Sequence, residues 1–144
     1  MISFIYMHFL QKFPSSLLRH KLIQILVKCG LISNPAQANF NSLATAFFDL
    51  SDPEPRNVFI KGNFELDFFN IAAKFLSKNG TFFDLGANQG LCSFGLIPSH
   101  PNSIFHLFEA NESLVALMEK SVDLHHRTSF FLNHVCVTAN NGTT

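Results

Sequence analysis

The sequence predicts an α/β fold built on a parallel sheet, and three observations carry that reading. Three short apolar runs, Thr81–Leu85, Ile104–Phe108 and Ser129–Val137, alternate with helical stretches. The first run ends in a glycine-rich turn, Gly86-Ala-Asn-Gln-Gly90. The second ends at an acidic residue, Glu109. Near-continuous apolar strands joined by crossover helices are expected in parallel sheets covered on both faces. The order strand, helix, strand, helix, strand is half of a doubly wound fold.

The elements follow in chain order. Leu17 to Val27 places Leu17, Leu18, Leu22, Ile25 and Leu26 at helical spacing, and Cys29-Gly30 is a stop. Gln37 to Leu50 reads as weakly helical and ends at Ser51-Asp-Pro-Glu-Pro55, a Pro- and acid-rich linker candidate. Phe64, Phe68, Ile71, Ala72 and Phe75 recur as an amphipathic helix closing at Asn79-Gly80. After the first strand, Leu91 to Ile97 starts a helix that Pro98 and Pro101 stop. Leu114, Leu117, Met118 and Val122 form the stripe of the next helix, and a loop at Asn140-Asn-Gly142 follows the third strand. The expected organisation is a helical extension over residues 1–55 and a partial ligand-binding domain over 56–144.

Composition narrows the function. The 144 residues are 47% hydrophobic and 14% charged, a core-forming balance for one domain. Ten basic and ten acidic residues cancel, so the electrostatic footprint of a nucleic-acid binder is missing. The first 48 residues hold four basic and no acidic side chains, so they carry +4 and the remaining 96 carry −4. The opening run of 11 uncharged residues is short of the ~18 needed to span a bilayer. A basic, apolar N-terminus suits a membrane surface or an import sequence, but a helix packed on the domain is favoured. Cys29, Cys92 and Cys136 form no CxxC pair and no zinc spacing, which makes a reducing, cytoplasmic setting the default.

In parallel α/β sheets ligands bind at the carboxyl ends of the strands, where Asp84, Gly86, Gly90 and Glu109 fall. The glycines let a ligand approach the backbone closely. The Glu109 carboxylate offers two acceptor oxygens to the hydroxyls of a ribose. Two nucleoside cofactors fit: a nicotinamide dinucleotide, or S-adenosylmethionine. Asp84 separates them. A carboxylate roughly 4 Å from a pyrophosphate charge costs on the order of 4 kcal/mol at an effective dielectric of 20. The ammonium and sulfonium of adenosylmethionine are instead attracted to it. The turn also departs from GxGxxG. The residues therefore favour adenosylmethionine over an NAD(P)-dependent oxidoreductase.

The run Phe82-Phe-Asp-Leu-Gly-Ala-Asn-Gln-Gly90, followed by Phe108-Glu-Ala-Asn111, resembles the FkbM-type methyltransferases, a class I adenosylmethionine-dependent family. Its first motif reads roughly hydrophobic-D-x-G-A-N-x-G and its second F-E-P-N-P. The Gly62-Asn-Phe-Glu65 lead-in is similar too, so the resemblance covers about residues 62 to 144. It implies a Rossmann-like methyltransferase fold, here its N-terminal half, preceded by the helical extension. By the same resemblance Asp84, Gly86, Ala87, Asn88 and Gly90 border the methionine moiety. Glu109 holds the ribose, with Ala110 and Asn111 near the adenine. Ala110 and Glu112 stand where the family has proline, which loosens the turn after the second strand. Glu65 is a further residue that approaches the cofactor.

The resemblance implies methyl transfer to an oxygen acceptor, a small-molecule or glycan hydroxyl. It names no catalytic residue, because the family's acceptor segment lies beyond the third strand. A seven-stranded sheet is expected of the family and about three strands are present, so the chain reads as truncated, with an exposed strand edge and poor stability. The alternative reading is a non-catalytic remnant acting as an interaction or membrane-surface module. Other residues have plainer roles. His125-His126 point about 100° apart on a helix and read as a solvated helix end without metal. His106 reads as a core histidine and Cys92 as a small buried residue. Asn133 and His134 are candidates for adenine contact, and Asn88 for a left-handed turn residue.

Overall fold

The computed structural model describes residues 16–126 and 128–139. The opening uncharged stretch and the Asn140–Gly142 loop lie outside the described residues. The elements run α1 (Ser16–Lys28), β1 (Ala36–Phe40), β2 (Ala44–Phe48), α2 (Pro53–Lys61), α3 (Leu66–Phe75), β3 (Thr81–Leu85), α4 (Leu91–Leu96), β4 (Ile104–Glu109), α5 (Glu112–Val122) and β5 (Ser129–His134). β3, β4 and β5 form a parallel three-stranded sheet in that order. Among the described residues no helix is long and apolar enough to cross a membrane.

Register divides the sheet into two faces. Phe82, Phe105 and Phe130 are aligned across the strands and turn toward α4 and α5, with ring centroids 6.1 and 5.3 Å apart. Phe105 is 0% exposed. The next row, Phe83, His106 and Phe131, stacks at 5.0 and 4.7 Å on the opposite face. There Phe83 is 57% exposed and Phe131 52%. The expectation of a sheet covered on both faces is therefore corrected. Apolar periodicity reports that a strand has two greasy sides, not that a neighbour exists for each. His106 accordingly stacks on the bare face and is not a core histidine.

Gln37 to Leu50 is a hairpin, not a helix. Ala36, Ala38 and Phe40 alternate inward along β1 and face Phe48, Ala46 and Ala44 of β2 in antiparallel register. Period-2 burial overrode the helical propensity of alanine. The turn puts Asn41 and Ser42 at positive φ, which Asn tolerates through its short polar side chain. The hairpin docks on α4 and α5: the Phe47 amide donates to Ser121 Oγ at 2.9 Å, and the His125 ring bonds the Thr45 carbonyl at 2.8 Å. His125 is thus a tether, not a solvated helix end; His126 is the exposed member of the pair.

The linker expected at Ser51–Pro55 is instead the start of α2. Asp52 caps it by accepting from the Glu54 amide, and Pro53 takes the first helical position, where no amide is needed. The described part of the extension before residue 56 is thus helix, hairpin and the start of a second helix. One core joins Ile23 of α1, Phe40 and Phe48 of the hairpin, Phe59 of α2, Phe94 of α4 and Phe105 of β4. α3 departs from its expected burial. None of its residues is buried, and Ile71 and Phe75 of its apolar stripe are exposed.

Candidate functional site

The turn after β3 is locked by backbone bonds to its neighbour strand. The amides of Gly86 and Ala87 both donate to the Phe108 carbonyl, at 2.9 and 3.0 Å. Asn88 is left-handed, with φ 53, and its amide donates to Glu109 Oε2 at 2.9 Å. The second oxygen, Oε1, accepts from the Asn111 amide at 2.9 Å. Glu109 therefore ties the two loops together, and each of its oxygens keeps lone-pair capacity for a further donor. Gly90 starts α4 at φ 73, and a Cβ there would meet Phe94 Cε2 at 2.6 Å. Only glycine permits both the left-handed turn and that approach.

A pocket of about 180 Å³ opens over this turn, lined by Glu54, Pro55, Phe64, Glu65, Asp84, Gly86, Ala87, Asn88, Gln89, Leu91 and Cys92. It is smaller than the ~300 Å³ and upward typical of sites that swallow a whole ligand, so it suits one end of a larger molecule. Its ionised groups are carboxylates. Asp84 turns to the α4 side of the sheet and accepts from Ser93 Oγ at 2.6 Å. Burial pushes the Asp84 carboxyl up from its ordinary value, against that hydrogen bond. Burial pushes the Cys92 thiol up to about 12, helped by the charges of Asp84, Glu65 and Glu54. A thiol held protonated is no nucleophile, and Cys92 is half-buried at the pocket wall rather than the buried residue expected.

Of the sequence-predicted residues, Glu65, Asp84, Gly86, Ala87 and Asn88 line the pocket together. Gly90 shapes it from the helix start. Glu109 lies beside it through Asn88, while Ala110 and Asn111 lie outside. Asn111 caps α5 by accepting from the Ser113 amide. The His134 ring crosses from the end of β5 to the Ala110 carbonyl at 3.0 Å, and Asn133 Nδ2 bonds the Leu107 carbonyl. Among the described residues no group of three metal-ligating side chains gathers.

The reading of the sequence missed Glu54, Pro55 and Phe64. Glu54 and Pro55 come from the first turn of α2, and the signal that marks them is Asp52 followed by Pro53, a capped helix start. Phe64 is held from a distance: Asn41 at the hairpin tip donates through Nδ2 to its carbonyl at 2.9 Å and accepts from its amide at 2.8 Å. No local pattern announces a contact across 23 residues.

No protein-family model matches the chain, and no curated protein matches it significantly. Among solved structures, PH0793 from Pyrococcus horikoshii, a candidate transferase, aligns at TM-score 0.51 and 13% identity, over 79% of this chain and 47% of its own. YjhP from E. coli aligns at TM-score 0.38 and 13% identity, over 49% of this chain and 30% of that one. The chain therefore spans less than half the length of either. The likeness to PH0793 is one of fold. Together with the parallel sheet and its glycine turn, it is consistent with a Rossmann-like α/β fold.

Proposed function

We propose that this chain is the cofactor-binding portion of an S-adenosylmethionine-dependent methyltransferase acting on an oxygen acceptor such as a sugar hydroxyl. The observation that carries the reading is the pairing of two carboxylates at adjacent parallel strand ends: Asp84 inside the pocket and Glu109 bonded to its rim. The donor set fits adenosylmethionine. Glu54, Glu65 and Asp84 suit a cationic amino-acid end and oppose a pyrophosphate. Glu109 is held by two backbone amides with acceptor capacity left for ribose hydroxyls. A Cβ at Gly86 would meet nothing within 4 Å, so the rim is open to a ligand.

When bound, adenosylmethionine supplies an electrophilic methyl group on its sulfonium. This chain's part is to bind and orient it: Asp84 and its carboxylate neighbours take the cationic end, and Glu109 holds the sugar. The resemblance to the FkbM-type family, at residues 82–90 and 108–111, supports the same assignment and supplies the oxygen acceptor. Calorimetric titration of the purified chain with S-adenosylhomocysteine, with NAD as control, tests it. Micromolar binding of the first alone is expected. A folded chain that binds neither supports a non-catalytic interaction module instead, and a preference for NAD overturns the cofactor assignment.

A further inference from the structure

Arg56, in α2, is 5% exposed, yet among the described residues none of its hydrogen-bond partners is a carboxylate. Its Nη1 donates to the Leu50 carbonyl at 3.0 Å and to that of Ser51 at 3.5 Å. Its Nε donates to Nδ1 of His20 in α1 at 3.1 Å. A donor facing Nδ1 requires that nitrogen to be bare, so the proton of the neutral ring sits on Nε2. The second proton of an imidazolium must go onto Nδ1, the atom already occupied. It would remove the acceptor and set two cations against each other in a half-buried contact.

The other charged group facing His20 from α2 is Lys61, also cationic, while a side-chain hydrogen bond with Asn57 favours the charged ring and is outweighed. On α1 itself the sequence neighbours are Arg19 and Lys21. Among the described residues the charges that act on His20 are thus those of Arg56 and Lys61, both positive. Apolar packing also holds α1 on the domain: Ile23 is 0% exposed, and Leu22, Leu26 and Val27 pack around it. The opposite side of the helix leaves Leu17, Leu18 and Ile25 exposed.

We propose that the His20–Arg56 contact is an acid-sensitive latch, so that protonation of His20 at Nδ1 undocks α1 from α2 while the parallel sheet and its helices stay folded. The direction follows from linkage. Burial, then the charges of Arg56 and Lys61, hold the His20 ring below its ordinary value of 6.5. The docked state thus binds the proton less well than the released one. The latch is whole above that value and weakens as pH falls through it.

The test is methyl NMR on the full chain, following Ile23 as the docking reporter and buried Met118 of α5 as the reference, from about pH 7.5 to about pH 5. The expected result is loss of the docked Ile23 signal on acidification with Met118 unchanged. In His20→Asn, whose Oδ1 replaces Nδ1 as acceptor without titrating, Ile23 should stay docked throughout. His20→Lys should release it already at pH 7.5. An Ile23 signal that stays docked at pH 5 in the parent chain overturns the latch. So does release of His20→Asn at the parent's midpoint, or simultaneous loss of Ile23 and Met118, which is global unfolding. If His20→Asn fails to fold, the parent decides through its own His20 ring: Ile23 release must share the midpoint of that ring's titration.

Discussion

At the scale of single residues, the proposed site rests on Asp84 and Glu109. Asp84→Ala and Glu109→Ala should each weaken adenosylhomocysteine binding more than tenfold, at least about 1.4 kcal/mol, by calorimetry. Parental affinity in both variants would show that the ligand, if any, binds elsewhere. The raised Asp84 carboxyl adds a pH dependence with a definite sign. It accepts a proton at milder acidity than a free aspartate, so affinity for a cationic ligand should fall as pH is lowered toward that range. Asp84→Asn should flatten the profile. Because burial disfavours the ionised form in the folded state, the same substitution should raise Tm at neutral pH while impairing binding. Gly90→Ala forces a Cβ against Phe94 at a positive φ and should cost about 2 kcal/mol in denaturant unfolding. The glycine turn and both strand-end carboxylates were legible because their chemistry is local. Glu54 was not, since its role depends on a helix start that read as a linker.

At the scale of elements, the hairpin decides more than its length suggests. Asn41 holds both backbone groups of Phe64, and Phe64 is a wall of the pocket. Asn41→Ala should lower stability by about 1–2 kcal/mol and loosen that wall. A several-fold loss of ligand affinity is the accompanying readout, and an unchanged affinity would detach the hairpin tip from the site. At the other end, Phe47 donates to Ser121 Oγ on α5. Both ties link segments far apart in sequence, which is why residues 37–50 read as helical: alanine and phenylalanine carry no period strong enough to outvote propensity, and the partners that make β pairing favourable lie elsewhere.

At the scale of the whole molecule, the described residues cover the parallel sheet on one side only. Phe83, Leu85, Ile104 and Phe131 expose a connected apolar surface, and among the described residues β3 and β5 are both edges. Surfaces of this kind drive association. Sedimentation velocity over a concentration series should show self-association of the parent chain. Phe131→Lys, on the bare face, should reduce it with the far-UV circular dichroism kept. Phe105→Lys, one residue over in register with Phe130 on the buried face, should unfold the chain. If Phe131→Lys associates as the parent does, the bare face is not what drives it.

The order of strands and helices from Thr81 onward, and the glycine turn with a carboxylate at each of two strand ends, were legible in the sequence itself, because a strand-turn-helix unit carries its pattern within a few residues. Tertiary structure alone decided the hairpin, the entry of Glu54 and Phe64 into the pocket, and which of the two apolar sheet faces is covered. Those features rest on contacts between distant segments, and a one-dimensional pattern records that a side chain is apolar or charged without recording what it meets.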